Sequence, residues 1–149
     1  MTEISFYQLT RPLDAVLPRL LEKAVASGHR IVLRADDDAV LKRLDTLLWT
    51  YDQASFLPHA VDGAFAGAQP VLLTRNRGPA ANGATIAAVV DGVFDATFAG
   101  LARVLYLFDS GDDAALTAAR AHWRDFRDRD GVTASYWRED DTGRWSKAG

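Results

Sequence analysis

Cysteine is absent from this 149-residue sequence. Without thiols, the chain can form no disulfide, thiolate metal site or cysteine nucleophile. The sequence also lacks the basic and then apolar pattern of a signal peptide, and no apolar run approaches the roughly 18 residues that a membrane span needs. We therefore expect a cytoplasmic protein that is neither secreted nor embedded in a membrane.

An excess of positive charge is missing as well. Lysine and arginine number 17 against 20 aspartates and glutamates, which gives a net charge of −3. Bulk neutralisation of phosphates requires a strongly basic protein, so we expect no direct nucleic-acid partner, although a basic face could still form locally. The length and the 48% apolar content predict one compact domain over residues 1–149.

Glycine-rich phosphate-binding motifs are absent too. The turn after the first predicted strand reads TRPLD, and neither GxxxxGKS/T nor a helix-opening GxGxxG occurs anywhere. Since the backbone of such motifs must approach phosphates closely, we predict no nucleotide cofactor. His29, His59 and His122 lack the spacing of paired metal ligands, so we predict no metal site either.

Three aspartates follow predicted strands, at Asp36, Asp91 and Asp109. Enzymes of the α/β class often keep catalytic carboxylates there, so a degenerate nucleotide-dependent enzyme is one alternative. No serine elbow, general base or oxyanion motif accompanies these acids, which favours a role in capping helices and turns. We therefore predict no catalytic residue.

Short apolar runs alternate with longer helical patterns along the chain. Strands are predicted at residues 4–9, 31–33, 71–74, 85–90 and 104–108, and again in the run VTASYW. Helices are predicted between Pro12 and Gly28, from Asp36 or Asp37 through Leu48, near residues 94–102, and from Asp112 or Asp113 to about Asp130. Residues 52–69 are predicted to form a surface connection anchored by Phe56 and Phe65.

This order of elements is typical of βαβ units. It predicts a three-layer α/β fold in which a mostly parallel sheet of about five or six strands has helices on both faces. An antiparallel strand at one edge of the sheet is compatible with the pattern.

The last predicted helix mixes arginines with a tryptophan. A helical wheel places on one face Leu116, Arg120, Trp123 and Arg127, with Arg124 at its border. Arginine forks grip carboxylates, so this face suits an acidic peptide with an aromatic end. The alternative is an ordinary amphipathic helix whose arginines pair with nearby aspartates, and the helix taken alone favours it.

A second aromatic group, formed by Trp49, Tyr51 and Phe56, lies where the second predicted helix runs into the irregular segment. Large aromatic side chains beside a loop can anchor a protein partner. They can equally pack beneath the loop as a small satellite core. The sequence pattern leaves both interpretations open.

Six segments follow one another from one end of the chain to the other: ISFYQL, RLDTLLW, SFLPH, PVLL, AARAHWRDFRDRDG and YWREDDTGRWSKA. In this order and spacing they resemble the chi family of the bacterial DNA polymerase III clamp loader complex. The resemblance implies a Rossmann-like domain without nucleotide chemistry. It also implies a non-catalytic replisome adaptor that binds the acidic, phenylalanine-ended tail of single-stranded DNA-binding protein and reaches the clamp loader through a psi subunit.

The resemblance further implies a set of tail-binding residues: Arg120, Trp123, Arg124, Arg127, Gly131 and Val132. The resemblance implies that Arg124 and Arg127 bind acidic side chains or the terminal carboxylate, while Trp123 and Val132 wall an apolar pocket. Trp49 and Phe56 resemble the side that binds the second partner. Leu116 stands where some relatives have a lysine, and Asp125, Asp128 and Asp130 dilute the positive field.

A third account is direct binding of single-stranded DNA through Arg75, Arg77 and the last helix.

Overall fold

The computed structural model describes residues 2–52, 57–63, 65–75, 80–91 and 100–149. In these ranges the helices and strands are β1 (Thr2–Leu9), α1 (Leu13–Ala26), β2 (Ile31–Arg34), α2 (Asp38–Thr50), β3 (His59–Val61), β4 (Val71–Thr74), β5 (Ile86–Val89), β6 (Arg103–Asp109), α3 (Asp113–Phe126), β7 (Val132–Glu139) and β8 (Trp145–Lys147). None of the described helices is long and apolar enough to cross a membrane.

All eight strands belong to one sheet, in the order β3-β4-β2-β5-β6-β1-β7-β8. Every neighbouring pair is parallel except β7 and β8, which are antiparallel. The predicted α/β class with a mostly parallel sheet is confirmed. The sheet has two more strands than the largest number predicted, because β3 and β8 add a three-residue strand at each edge.

Three local predictions need correction. The predicted surface connection at residues 52–69 contains β3, and β8 lies beyond the last predicted strand, VTASYW. The last helix ends at Phe126 rather than near Asp130, because the N–H of Arg129 bonds to the carbonyl of Phe126 in a tight turn. Most of the helix predicted near residues 94–102 lies outside the described residues, and the described residues 100–102 are not helical.

Helices pack on both faces of the sheet, as predicted. On one face α1 and α2 bury a row of leucines against the sheet: Leu17, Leu21, Leu41, Leu44 and Leu48. On the other face α3 covers aromatic residues of the central strands. Side chains of β1 alternate between these two cores, so Phe6 faces α3 while Tyr7 and Leu9 face α1.

Two aspartates begin the helices that follow strands. Asp37 accepts a hydrogen bond from the N–H of Ala39 at 2.8 Å, and Asp112 accepts one from the N–H of Ala115 at 3.1 Å. Each carboxylate satisfies a donor that the first turn of a helix leaves unpaired. The predicted capping positions are thereby narrowed to Asp37 for α2 and Asp112 for α3.

Glu139, at the end of β7, ties that strand to the turn between β1 and α1. Its Oε1 accepts hydrogen bonds from the N–H groups of Thr10 and Arg11 at 2.9 and 3.0 Å, and from the Thr10 hydroxyl at 2.9 Å. Its Oε2 accepts from Arg11 Nε at 2.8 Å, and the carboxylate is fully buried. Doubly wound proteins that bind nucleotides place a phosphate at this turn. Here the carboxylate of Glu139 accepts the hydrogen bonds of the backbone N–H groups in this turn.

We expect Glu139→Gln to destabilise the protein by about 2–3 kcal/mol at neutral pH, because it removes a buried, hydrogen-bonded charge beside Arg11. Burial alone raises the pKa of Glu139, but the hydrogen bonds from Arg11 and Thr10 outweigh burial and lower the pKa from 4.5 to about 2. A depressed pKa means that the stabilisation is complete above pH 4.5 and is lost as the pH falls toward 2.

Urea unfolding of both proteins between pH 7 and pH 2 measures this difference. The gap in unfolding free energy between the wild type and Glu139→Gln should shrink below pH 4.5. Glu3→Gln, at an exposed position on β1, is the matched control and should leave the free energy nearly unchanged. Equal stability of the wild type and Glu139→Gln at pH 7 would contradict the assignment.

Candidate functional site

Trp123 holds α3 against the sheet. Its indole packs edge-on against Phe6, with ring centroids 5.8 Å apart, and against Tyr136, with centroids 5.7 Å apart. Phe6 also stacks on Tyr136 at 6.3 Å. These contacts fix the rotation of the helix, so that Ala119 and Phe126 face the core. Arg120, Arg124 and Arg127 are exposed.

A cavity of about 180 Å³ opens beside this cluster, between α3 and the end of the sheet. Its lining comes from α3, from β7 and from the segment after β8: Arg120, Trp123, Arg124, Arg127, Tyr136, Arg138 and Ala148. Four of these are residues expected from the sequence to bind an acidic tail. The cavity therefore combines one aromatic wall with four guanidinium groups.

The arginines of the cavity are largely free of acidic neighbours. In the described part of the chain, Arg120, Arg124 and Arg138 form no ion pair, and Arg127 has a 3.5 Å contact with the exposed carboxylate of Asp128. Asp125 pairs with Arg129 at 3.1 Å instead. The aspartates of this helix thus leave most of the positive charge of the cavity available to a ligand with carboxylates.

Tyr136 forms the floor of the cavity. Its hydroxyl donates a 2.5 Å hydrogen bond to Gln8 Oε1, and its ring lies 5.9 Å from the guanidinium of Arg138. Burial raises the pKa of Tyr136, while Arg120 and Arg138 act in the opposite direction. The phenol therefore stays neutral near pH 7 and joins β7 to β1 beneath the arginines.

Gly131 and Val132 do not line the cavity. Gly131 has a φ of +78° in the turn that leads from α3 into β7, a conformation that favours glycine. Val132 packs, half-buried, on the core beneath α3, as does Leu116. Tyr136 and Arg138 were not predicted as site residues. The alternation of a strand would have placed both on the same face as Val132.

The expected second-partner face lies at the opposite edge of the sheet. Trp49, near the end of α2, is 57% exposed, and its ring centroid lies 4.7 Å from that of the buried His59 on β3. Phe65 is 77% exposed and Val61, at the end of β3, is exposed as well. Phe56 lies outside the described residues. The structure therefore presents apolar side chains to solvent beside an edge strand.

The aspartates at the strand ends take part in turns. Asp91 accepts a hydrogen bond from the N–H of Asp36 at 2.6 Å, and Asp109 accepts one from the N–H of Gly111 at 2.8 Å. Both acceptors also border a cavity of about 170 Å³ near the start of α3. Within the described ranges, no three His, Cys, Asp or Glu side chains are grouped to hold a metal ion.

A mainly parallel sheet with helices on both faces places the chain among the doubly wound α/β proteins, and a cavity lined by four arginines lies beside the last helix. Residues 1–134 match the family described as DNA polymerase III chi subunit, HolC, and the chain belongs to that family. The family match gives the chain an accessory role in DNA replication. A search of curated proteins finds no match.

We expect Trp123→Ala to lower the free energy of unfolding by about 2–3 kcal/mol, because the half-buried indole packs against the core beneath α3. Trp123→Phe keeps a ring against Phe6 and should cost about 1 kcal/mol. Arg124→Ala, at an exposed position one residue further, is the control and should change stability by less than about 0.5 kcal/mol. Unfolding in urea gives the three values, and a fully stable Trp123→Ala protein would refute the packing role.

Proposed function

We propose that this protein is a non-catalytic adaptor of the replisome, which binds the acidic, phenylalanine-ended tail of single-stranded DNA-binding protein and links it to the clamp loader through a psi-type subunit. The observation that carries the proposal is the cavity on α3 and β7. It brings four arginines next to a half-buried tryptophan, with few acids to compete for them.

The tail has two chemical features that this cavity matches. Carboxylates along the peptide would meet the guanidinium groups of Arg120, Arg124, Arg127 and Arg138, which form charge-assisted hydrogen bonds in forked geometry. A terminal phenyl ring would lie against Trp123, because an edge-to-face contact between aromatic rings stabilises the complex beyond the burial of apolar area. Recognition of both features would distinguish this tail from acidic segments that do not end in phenylalanine.

Binding of a short acidic peptide ending in phenylalanine tests the proposal, with the same peptide lacking that residue as its partner experiment. We expect the phenylalanine to be needed for tight binding. Raising the salt concentration should weaken binding, because ions screen charge-assisted contacts at an exposed site. Affinity that is indifferent to both changes would refute the proposed site.

Substitution of single arginines sharpens the test. Arg124→Ala, Arg127→Ala and Arg138→Ala should each weaken peptide binding by about 1–3 kcal/mol, as expected for hydrogen bonds to charged groups. Arg43→Ala on α2 is a matched control, since the Arg43 side chain is 52% exposed and that of Arg127 is 51% exposed. Calorimetric titration gives the affinities, and a loss of binding in the control equal to that in the site variants would contradict the assignment.

The link to the psi-type subunit is proposed for the face around Trp49. Exposed aromatic side chains dominate many protein interfaces, and Trp49, Phe65 and Val61 are all exposed at the β3 edge. This face and the arginine cavity lie at opposite edges of the sheet. One adaptor could therefore hold both partners at once.

We expect Trp49→Ala to weaken the complex with a recombinant psi subunit by at least tenfold, because an exposed tryptophan at an interface commonly contributes 2 kcal/mol or more. The same variant should bind the acidic peptide with unchanged affinity. Arg124→Ala is the reciprocal control, with peptide binding weakened and psi binding intact. Normal psi binding by Trp49→Ala would place the interface elsewhere.

A further inference from the structure

The segment after the β7–β8 turn lies along the outer edge of β7, next to the arginine cavity. The N–H of Ala148 donates a 2.7 Å hydrogen bond to the carbonyl of Tyr136, and the N–H of Tyr136 donates a 3.0 Å bond to the carbonyl of Gly149. Both backbone groups of Tyr136 on this edge are thereby occupied. Residues 145–149 thus fill the strand edge that borders the cavity.

Gly149 also covers the outer edge of the Trp123 indole. A Cβ atom placed on Gly149 would lie 2.8 Å from Trp123 Cζ2, which is closer than side-chain atoms normally approach. The backbone therefore rests directly on the ring. A phenyl group that reaches Trp123 from this side would meet Gly149 first.

The segment is held more weakly than the strand beneath it. β8 has three residues, all of them exposed, and among the described strands it pairs with β7 alone. Its Trp145 side chain is 36% exposed and packs edge-on against Tyr7, with ring centroids 5.3 Å apart. Trp145 lies on the face of the sheet opposite to α3, away from the arginines.

β7 does not depend on this segment for its position. It pairs with β1 along seven residues, and Glu139 anchors its end to Thr10 and Arg11. The turn that follows is fixed by Asp140, whose carboxylate accepts hydrogen bonds from the N–H groups of Thr142 and Arg144 at 2.8 and 2.9 Å. Residues 145–149 can therefore leave the edge, which removes Ala148 from the wall of the cavity, while β7 and the arginines of the cavity stay in place.

We propose that residues 145–149 compete with the acidic peptide for the edge of β7 and for the indole of Trp123. The peptide would add to the sheet as a strand in place of β8, its phenyl ring replacing Gly149 against Trp123 and its carboxylates meeting the arginines. This inference rests on the proposed function. Because the segment occupies the site in the free protein, it lowers the observed affinity and sets a threshold for binding.

Two variants release the segment without altering the cavity arginines. Trp145→Ala removes its contact with Tyr7, and replacement of residues 145–149 by a flexible Gly–Ser stretch removes the competing strand. Both should raise the affinity for the phenylalanine-ended peptide, the second by about fivefold if the segment covers the site in about four of five molecules. Arg43→Ala is the control, since it removes an exposed arginine on α2, far from β7, and should leave the affinity unchanged.

Amide hydrogen exchange supplies a direct readout in the full chain. The amide of Ala148 should be protected in the free protein and should lose that protection when the peptide is saturating. Protection that persists in the complex, or affinity that stays equal or falls in both variants, would overturn the inference while leaving the proposed function intact. Absence of peptide binding to the wild type and to both variants would overturn the proposed function itself.

Discussion

The packing of Trp123 between Phe6 and Tyr136 is the contact on which the cavity depends. Each aromatic pair adds about 0.5–1.5 kcal/mol beyond the area that it buries. Its larger effect is geometric, because it fixes the rotation of α3 against β1 and β7. Arg120 and Arg124 then stand on the rim, and Arg138 of β7 faces them across the cavity. The same tryptophan thus belongs both to the core and to the site.

A second constraint concerns the turn between β1 and α1, where nucleotide-binding proteins of this fold class place a phosphate. The turn between β1 and α1 has free backbone donors, as in all such folds, and these need an acceptor when they are buried. The carboxylate of Glu139 supplies it from a strand that lies 128 residues away in sequence from Arg11. The Glu139 carboxylate thus occupies the usual position of a phosphate. Its hydrogen bonds hold in place the strand that carries Tyr136 and Arg138.

Much of the fold follows from local patterns in the sequence. Strands such as β4 and β6 are continuous apolar runs, and Asp37 and Asp112 begin helices where a cap was predicted. The edge strands β3 (HAV) and β8 (WSK) were not predicted, because a three-residue segment without a continuous run of large apolar side chains gives no strand signal, and neighbouring strands decide whether it pairs. Local sequence patterns therefore predict the central strands of the sheet and miss the strand at each edge.

The candidate site was predictable only in part, for a similar reason. The arginine face of α3 can be derived from helical geometry, so Arg120, Trp123, Arg124 and Arg127 were found in the sequence. Arg138 joins them only because β7 pairs in parallel with β1 beneath α3, which is a tertiary relation. The hydrogen bonds of Glu139 and the contact of Gly149 with Trp123 likewise connect distant segments. Such contacts have no signature in a single stretch of sequence.

The most direct test of the account is a nuclear magnetic resonance titration that follows the four tryptophan indoles and the arginine Nε–H groups as the phenylalanine-ended peptide is added. We expect large shifts for the Trp123 indole and for Arg120, Arg124 and Arg138, with the Trp49 indole unmoved. Shifts centred on Trp49, with Trp123 and its arginines unchanged, would contradict it and would place tail recognition at the other edge of the sheet.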